Sequence, residues 1–422
     1  MVSREALGLV TIAGYRPGPA MLVTAAFIGP GTVTACASAG IGFGYALLWA
    51  LVFAIIATII LQNMAARVAI VTGQGLAEAI LAAASNPLLR WAMAALIFAS
   101  LALGNSAYQA GNISGTGLGL ALLGMGDDVV APPLRALGTG VLAAALVVIG
   151  KPAWLEKLLI VLVLAMSLAF IGGLAVIDVD WQAVAAGLVP TLPSASLFTA
   201  IALIGTTVVP YNLFLHAASV RGKFNADRAG LSASALDTGI SVTLGGLLSM
   251  AIVIMGAATV AMPGTGTGPL DDVALRLEAL FGAPARIVFA LGLVGAGFSS
   301  ALTAPLATGY VLAEMLARPD GGGDDPDRRS RIFKRTALAV ITVGTAFAVF
   351  AVNPVELILI AQSANGLLLP ILAAFLLWVA SRRASLGALA NGPLANLAGG
   401  GVVLVCTGLG LRLILRAAGV WP

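Results

Sequence analysis

Charged side chains are scarce in this chain: Asp, Glu, Lys and Arg together make up 9% of its 422 residues, whereas hydrophobic residues make up 60%. Soluble globular domains carry about a quarter charged residues, so this composition excludes a soluble protein. Apolar runs recur along the whole sequence, and they have the length of about 20 residues that a helix needs to cross a bilayer. The composition therefore predicts an all-α integral membrane protein with a single transmembrane domain over residues 1–422.

Histidine and cysteine are also rare, with one His and two Cys in the sequence. The cysteines, Cys36 and Cys406, lie in apolar segments without disulfide or metal-site spacing, so we expect them to be small core residues. Enzymes in membranes group several His, Asp, Glu or Ser side chains as acids and bases. The shortage of such residues argues against an enzyme. We expect no catalytic residue, no cofactor and no resident metal site.

The apolar runs divide into eleven predicted transmembrane spans: 19–40, 44–70, 89–123, 133–150, 154–177, 195–220, 229–261, 284–316, 333–352, 355–380 and 397–418. If the N-terminus lies inside, the inner loops hold all of the 22 Lys and Arg residues except Arg135, Arg276, Arg286, Arg412 and Arg416. Basic residues collect in cytoplasmic loops. We therefore expect a multi-pass cell-membrane protein with a cytoplasmic N-terminus and the C-terminus on the opposite side. This charge distribution fits a lipid bilayer as the partner, and not nucleic acid.

Two of these spans are interrupted by a short break that contains proline. The breaks are GPGT at 29–32 and VPYN at 209–212. An unwound backbone is tolerated in a membrane only where protein or a water-filled cavity satisfies its polar groups. A pair of such breaks at corresponding places indicates the substrate site of a secondary transporter that works by alternating access.

The positions of the breaks also predict an internal repeat. Five spans precede the one that holds the second break, so residues 19–180 and 195–380 are expected to be two five-helix repeats. An odd number of spans per repeat inverts the second relative to the first. Residues 397–418 would then be an additional helix.

Several motifs resemble those of the Nramp family of divalent-metal transporters, and the resemblance covers nearly the whole chain. They are GYALLW at 44–49, AARVAIVTG at 65–73, LAE at 76–78, PYNLFLH at 210–216, GFSS at 297–300, and Gln362 with LP at 369–370. The resemblance implies a LeuT-type fold of eleven transmembrane helices, with helices one and six unwound and the substrate between them. It also implies that Gln362, on the tenth helix, joins the site.

The resemblance fails at the residues that hold the metal in the family. The family's first-helix motif is Asp-Pro-Gly-Asn, whose Asp and Asn ligate the ion, whereas this chain has Gly29 and Thr32 there. The sixth-helix motif is Met-Pro-His with an alanine three residues before the Met. For Met, His and that alanine this chain has Val209, Tyr211 and Thr206. The carboxylate, the amide and the thioether are therefore all missing.

Without these ligands the predicted site offers neutral dipoles only. A desolvated transition-metal ion needs negative charge or soft donors, whereas the N–H groups that begin a half-helix attract an anion. We therefore expect a small polar or carboxylate-bearing organic solute, bound by residues from both breaks and the tenth helix: Gly29, Pro30, Gly31, Thr32, Thr206, Val209, Tyr211, Asn212 and Gln362. The alternative is a divalent cation of the Mg or Mn type. Mg²⁺ keeps its waters and can be held through hydroxyl and carbonyl oxygens.

Two ionisable residues inside the predicted spans are candidates for ion coupling. His216 resembles a family histidine near the proton route, and Asp237 is the one acid clearly within a span. Ionisable residues inside membranes are functional candidates by default, but a packing role for His216 and a structural role for Asp237 explain them as well. The third span offers Asn105, Gln109 and Asn112 but no acid. Symport with a proton or sodium and passive transport therefore all stay open.

Overall fold

The computed structural model describes residue 20 and residues 28–125, 131–150, 153–259, 268–317 and 325–420. Over these residues the regular structure is helical, and no β-strand occurs in them. Ten helical stretches in this part of the chain are long and apolar enough to cross a membrane. This confirms the predicted class of an all-α membrane protein.

Seventeen α-helices make up the described part of the chain. The first eight are α1 (Pro30–Phe43), α2 (Leu48–Thr72), α3 (Leu76–Ala83), α4 (Pro87–Phe98), α5 (Asn105–Leu122), α6 (Ala131–Ile149), α7 (Ala153–Leu174) and α8 (Trp181–Ala186). The others are α9 (Leu197–Thr207), α10 (Pro210–Val220), α11 (Arg228–Thr259), α12 (Pro269–Phe281), α13 (Ala283–Ala317), α14 (Pro326–Val349), α15 (Pro354–Ala380), α16 (Arg383–Leu386) and α17 (Pro393–Ala417). A π-helical turn, Ala99–Gly104, joins α4 to α5, and a 3₁₀ turn, Gly387–Leu389, follows α16.

The ten candidate spans coincide with ten of the eleven predicted ones. The predicted span over 19–40 is represented by α1 alone, because residues 21–27 lie outside the described part of the chain. The count of eleven transmembrane helices and the inverted repeat over 19–180 and 195–380 therefore stay predictions.

Proline marks where many of these helices begin. It is the first residue of α1, α4, α10, α12, α14, α15 and α17. The first N–H groups of a helix have no partner within it, so a residue that lacks an N–H loses nothing there, and its fixed φ suits the helix. Asn86 and Asn353 add caps, because their side-chain oxygens accept hydrogen bonds from the amides that begin α4 and α15.

Both predicted breaks appear in the backbone. Gly29 is extended, with φ −106° and ψ 179°, and α1 begins directly after it at Pro30. The second break is shorter than predicted and consists of two non-helical residues, Val208 and Val209, between α9 and α10. The prediction that residues 31–32 are themselves unwound is wrong, because Pro30 starts a helix and those residues form its first turn.

The interrupted helix pair α9–α10 lies at the centre of the protein. Of its most apolar 18-residue window 89% is buried, whereas the corresponding value is 22% for α7 and for α17. The outer helices therefore face lipid, and the second break lies where protein surrounds it. Cys36 and Cys406 are buried and unpaired, as expected of core residues.

Glycines let the inner helices approach closely. A Cβ added to Gly256 in α11 would lie 2.8 Å from the carbonyl oxygen of Ala37 in α1. One added to Gly119 in α5 would lie 2.9 Å from the carbonyl oxygen of Ala290 in α13. These separations leave no room for a side chain, so the helix backbones themselves are in contact.

Replacing Gly119 by Leu should therefore destabilise the protein, because the new side chain would meet backbone atoms of α13 that cannot move aside. Overpacking of this kind costs about 1–3 kcal/mol, and the melting temperature of the purified protein should fall. Gly138→Leu is the matched control, since Gly138 is exposed on α6 and no atom lies within 4 Å of an added Cβ. Equal melting temperatures for the two variants would contradict the close contact of α5 and α13.

Candidate functional site

Residues beside the two breaks are in direct contact. Thr32, in the first turn of α1, and Thr206, in the last turn of α9, share a hydrogen bond of 2.9 Å between their Oγ1 atoms. Both side chains are buried, with 1% and 0% of their surface exposed. The beginning of α1 and the end of α9 therefore form one buried junction lined by hydroxyl groups.

Gln362 of α15 closes this junction from a third side. A Cβ added to Gly31 would overlap the side-chain amide of Gln362, and one added to Gly205 would overlap its backbone carbonyl. The residue is fully buried, yet neither Oε1 nor Nε2 has a hydrogen-bond partner among the described residues. A buried amide without partners costs free energy unless something else satisfies it. Gln362 is thus available to a ligand or to water.

A second group of residues lies at Gly29, where α1 begins. A Cβ added to Gly29 would lie 2.9 Å from Ser300 Oγ and 3.5 Å from the Tyr108 hydroxyl oxygen. The Tyr108 ring packs against Tyr211 in the first turn of α10, with ring centroids 5.5 Å apart. The ring of Pro30 lies against the backbone of Gly115 in α5.

Sequence reasoning alone gives no reason to select Tyr108. Ser300 could have been selected only as the last residue of the GFSS motif at 297–300, which resembles a motif of the family. Tyr108 sits on α5 among polar residues, and its position beside Gly29 depends on how α5 packs.

The remaining predicted site residues occupy the second break and the turn that follows it. Val209 is extended and buried, and its carbonyl accepts a 3.0 Å hydrogen bond from the backbone N–H of Asn212. The Asn212 side chain is 1% exposed, and both atoms of its amide lack a partner in the described part of the chain. The first turn of α10 therefore carries a second buried amide that is open to a ligand.

The candidate site is electrically neutral. The predicted residues supply hydroxyls, side-chain amides and the first N–H groups of α1, which carry partial positive charge. Among the residues that the structure describes, no group of three or more His, Cys, Asp and Glu side chains could hold a metal ion. Any cation here would be stabilised by oxygen dipoles, and not by a formal negative charge.

Comparison with known proteins identifies the family. The model of the natural resistance-associated macrophage protein-like (Nramp) family matches residues 20–416. The chain belongs to the Nramp family. A curated relative, the "Divalent metal cation transporter MntH" of Acidiphilium cryptum, is 29% identical over 423 residues, which span 97% of this chain and 93% of the relative.

Solved structures agree on the fold. A mutant of the Eremococcus coleocola manganese transporter superposes with a TM-score of 0.71 at 22% identity, covering 94% of this chain and 85% of that one. MhsT in complex with L-phenylalanine superposes with a TM-score of 0.59 at 17% identity, covering 94% and 98%. These likenesses confirm the predicted LeuT-type fold for this Nramp chain.

A row of neutral polar side chains runs along α5 of this Nramp protein. Asn105 donates a 2.5 Å hydrogen bond to Thr308, and Gln109 donates one of 2.9 Å to the carbonyl of Ala301. Neither atom of the Asn112 amide has a partner among the described residues. Spacings of four and three residues place the row on one helix face. The row contains no group that titrates.

The two candidates for ion coupling contact different partners. Nε2 of His216, on α10, lies 3.2 Å from Thr238 Oγ1, and Nδ1 has no partner in the described residues. Asp237 accepts a 2.9 Å hydrogen bond from the backbone N–H of Ala20. This hydrogen bond links α11 to the chain before α1, so the contact that Asp237 makes here is structural. A coupling role for either residue stays a prediction.

A charged network, made of Arg221, Tyr310, Glu314 and Arg329, fixes the far end of α10. Arg221 lies 3.0 Å from Glu314 and donates a 2.6 Å hydrogen bond to the Tyr310 hydroxyl. Arg329, at the start of α14, lies 3.5 Å from Glu314 and 5.8 Å from the centre of the Tyr310 ring. Burial alone would lower the pKa of Arg221, but neighbouring Tyr310 and Glu314 raise it overall. The network joins α10, α13 and α14.

Substituting Gly31 by Ala should destabilise the protein, because the new methyl group would overlap the Gln362 side chain. Overpacking costs about 1–3 kcal/mol, and residues in contact show coupling of about 0.5–3 kcal/mol. Gln362→Ala should therefore restore most of the melting temperature that Gly31→Ala loses. Additive effects in the double mutant would contradict the contact between α1 and α15.

Removing the carboxylate of the charged network should loosen α10. Glu314 is 8% exposed and contacts two arginines, so Glu314→Gln should lower stability by about 2 kcal/mol. Amide hydrogen exchange in the last turn of α10 should become faster. The control is Glu278→Gln, which removes the half-exposed pair with Arg286 and should change neither measurement much. An unchanged exchange rate in Glu314→Gln would show that the network does not hold α10.

Proposed function

We propose that the protein is a secondary transporter that moves a hard divalent cation of the Mg²⁺ type across the membrane by alternating access. Family membership makes it a transporter and not an enzyme. The observation that carries the choice of cargo is the neutral oxygen-lined junction of Thr32, Thr206 and Gln362, in a family whose curated relatives are named divalent metal cation transporters.

This proposal replaces the organic solute that the sequence favoured. The comparisons give that preference no support and favour the alternative of a divalent cation. The preference for an organic solute rested on the positive end of α1 and counted Gln362 and Asn212 as site residues. In the structure both side chains are buried and their oxygens have no partner among the described residues, and such acceptors also suit a cation or the water around one.

The neutral site favours an ion that keeps part of its hydration shell. A bare divalent ion in a buried site needs compensating negative charge. Mg²⁺ loses its waters reluctantly and is usually bound with several of them in place. Hydroxyl and amide oxygens can contact those waters without any carboxylate. Val209 stands where a thioether would favour a softer ion, so selectivity for Mn²⁺ or Fe²⁺ is expected to be low.

The neutral row on α5 favours transport without a coupled proton. A proton relay needs groups that titrate near neutral pH, and the sequence of α5 contains no Asp, Glu, His, Lys or Arg. We infer that the gradient of the cation and the membrane potential drive transport. The charge distribution supports a cytoplasmic N-terminus in the cell membrane.

Uptake into proteoliposomes tests the cargo. We expect a Mg²⁺-sensitive dye to report uptake that an imposed pH gradient leaves unchanged and that excess external Mn²⁺ inhibits only weakly. Uptake of an amino acid or a small carboxylate, with no flux of any divalent ion, would restore the organic-solute interpretation. Acceleration by an inward proton gradient would contradict uncoupled transport.

The double substitution Gly29→Asp with Thr32→Asn should raise the affinity for Mn²⁺. A contact between opposite charges is worth a few kcal/mol near a protein, so a gain of about tenfold or more is expected. The Ser300 hydroxyl must turn aside, since it lies 2.9 Å from an added Cβ at Gly29. Gly42→Asp is the control, because it adds a carboxylate at an exposed, open position near the end of α1. Tight Mn²⁺ binding by the native protein in calorimetry would contradict the proposed preference.

A further inference from the structure

A groove on the lipid-facing surface between α15 and α17 stands apart from the candidate site. It has a volume of about 420 Å³ and an almost entirely apolar wall. Its lining includes Leu377 and Trp378 from the last turn of α15, and Gly400, Val403 and Leu404 from α17. It opens sideways towards the bilayer, since Leu404 is 74% and Trp378 36% exposed.

The floor of the groove is open because Gly400 has no side chain. Gly400 lines it, and no atom lies within 4 Å of a Cβ added there. The preceding residue, Gly399, faces inwards, where an added Cβ would meet Met64 and Leu377. The two helices are therefore in contact at Gly399, whereas the space beside Gly400 is open to an apolar chain.

Positive charge lies at one end of the groove. The guanidinium carbon of Arg382 lies 4.8 Å from the centre of the Trp378 ring and so covers the aromatic wall. Arg382 also donates a hydrogen bond to the carbonyl of Ala83, which fixes its position. Arg383 follows and is exposed. The backbone N–H of Asn391 bonds to Ala380 O at 2.9 Å, and its side-chain amide has no partner among the described residues.

We propose that this groove binds one anionic phospholipid of the bilayer, with an acyl chain along α15 and α17 and the phosphate at Arg382 and Arg383. Basic pockets between transmembrane helices bind anionic headgroups, and aromatic residues such as Trp378 occupy the level of the interface. The apolar groove alone would accept any lipid chain. The two arginines select for negative charge, and they disfavour a symmetric contact with a second copy of this chain through the same groove, which would bring like charges to the same place.

Fluorescence quenching by brominated lipids tests the selection. The protein is placed in nanodiscs of phosphatidylcholine that contain brominated phosphatidylglycerol or brominated phosphatidylcholine. Trp378 is one of six tryptophans, and the difference between native protein and Trp378→Phe isolates its signal. Phosphatidylglycerol should quench Trp378 at a lower mole fraction. Arg383→Gln should weaken this preference roughly fivefold, whereas Arg412→Gln, at the other end of α17, should leave it unchanged.

A second pair of variants tests the acyl-chain position without changing charge. Gly400→Leu should fill the groove, and native mass spectrometry of this variant incubated with phosphatidylglycerol should then show less bound lipid than the native protein does. Gly408→Leu is the control, since Gly408 is exposed on the same helix, equally open, and absent from the groove lining. Three outcomes would each overturn the proposal: equal quenching by the two lipids, phosphatidylglycerol retained by Gly400→Leu, or disulfide crosslinking of two chains in the variant Gly400→Cys.

Discussion

A helix that stops inside a membrane leaves amide and carbonyl groups that only protein or water can satisfy, and this constraint governs the centre of the molecule. Gly29 is extended where α1 begins, and Val208 and Val209 separate α9 from α10. Two glycine contacts, at Gly31 and Gly205, bring α1 and α9 against α15, and a hydrogen bond between Thr32 and Thr206 links α1 to α9. Next to these points the side-chain amides of Gln362 and Asn212 are buried and have no partner among the described residues, and both are uncharged.

The ion pairs that hold α10 lie away from this centre. The groups that hold α10 in place by ion pairing, Arg221, Glu314 and Arg329, all lie at its far end, where water is near. Between that end and the breaks, α5 presents amides in place of acids. Dipoles adapt to an ion that carries its own waters, whereas a fixed carboxylate would favour an ion that has lost them. The proposed cargo, a hydrated divalent cation, follows from this separation between the ion pairs and the neutral site.

Much of the fold could be predicted from the sequence, because it depends on local signals. Apolar length predicted ten of the spans, and proline located both breaks, with glycine on either side of it in the first. Less of the candidate site could be predicted from the sequence. Gly31 and Thr32 were expected in unwound chain but form a helical turn, since Pro30 starts the helix. Tyr108 could not be predicted, because its position beside Gly29 depends on packing between distant segments. The preference for an organic solute has no support from the comparisons. The sequence identified Gln362 as a site residue, but it could not show that the buried amide of Gln362 lacks a partner among the described residues.

The contact of the Pro30 ring with Gly115 has a consequence for how the site can vary. Proline has no N–H to donate, so the contact between α1 and α5 is the fit of a ring against a residue without a side chain, and no hydrogen bond from the Pro30 backbone contributes to it. The side chains at positions 29, 32 and 206 take no part in it. Substitutions at those positions can therefore change what the site binds while the packing of α1 on α5 is retained.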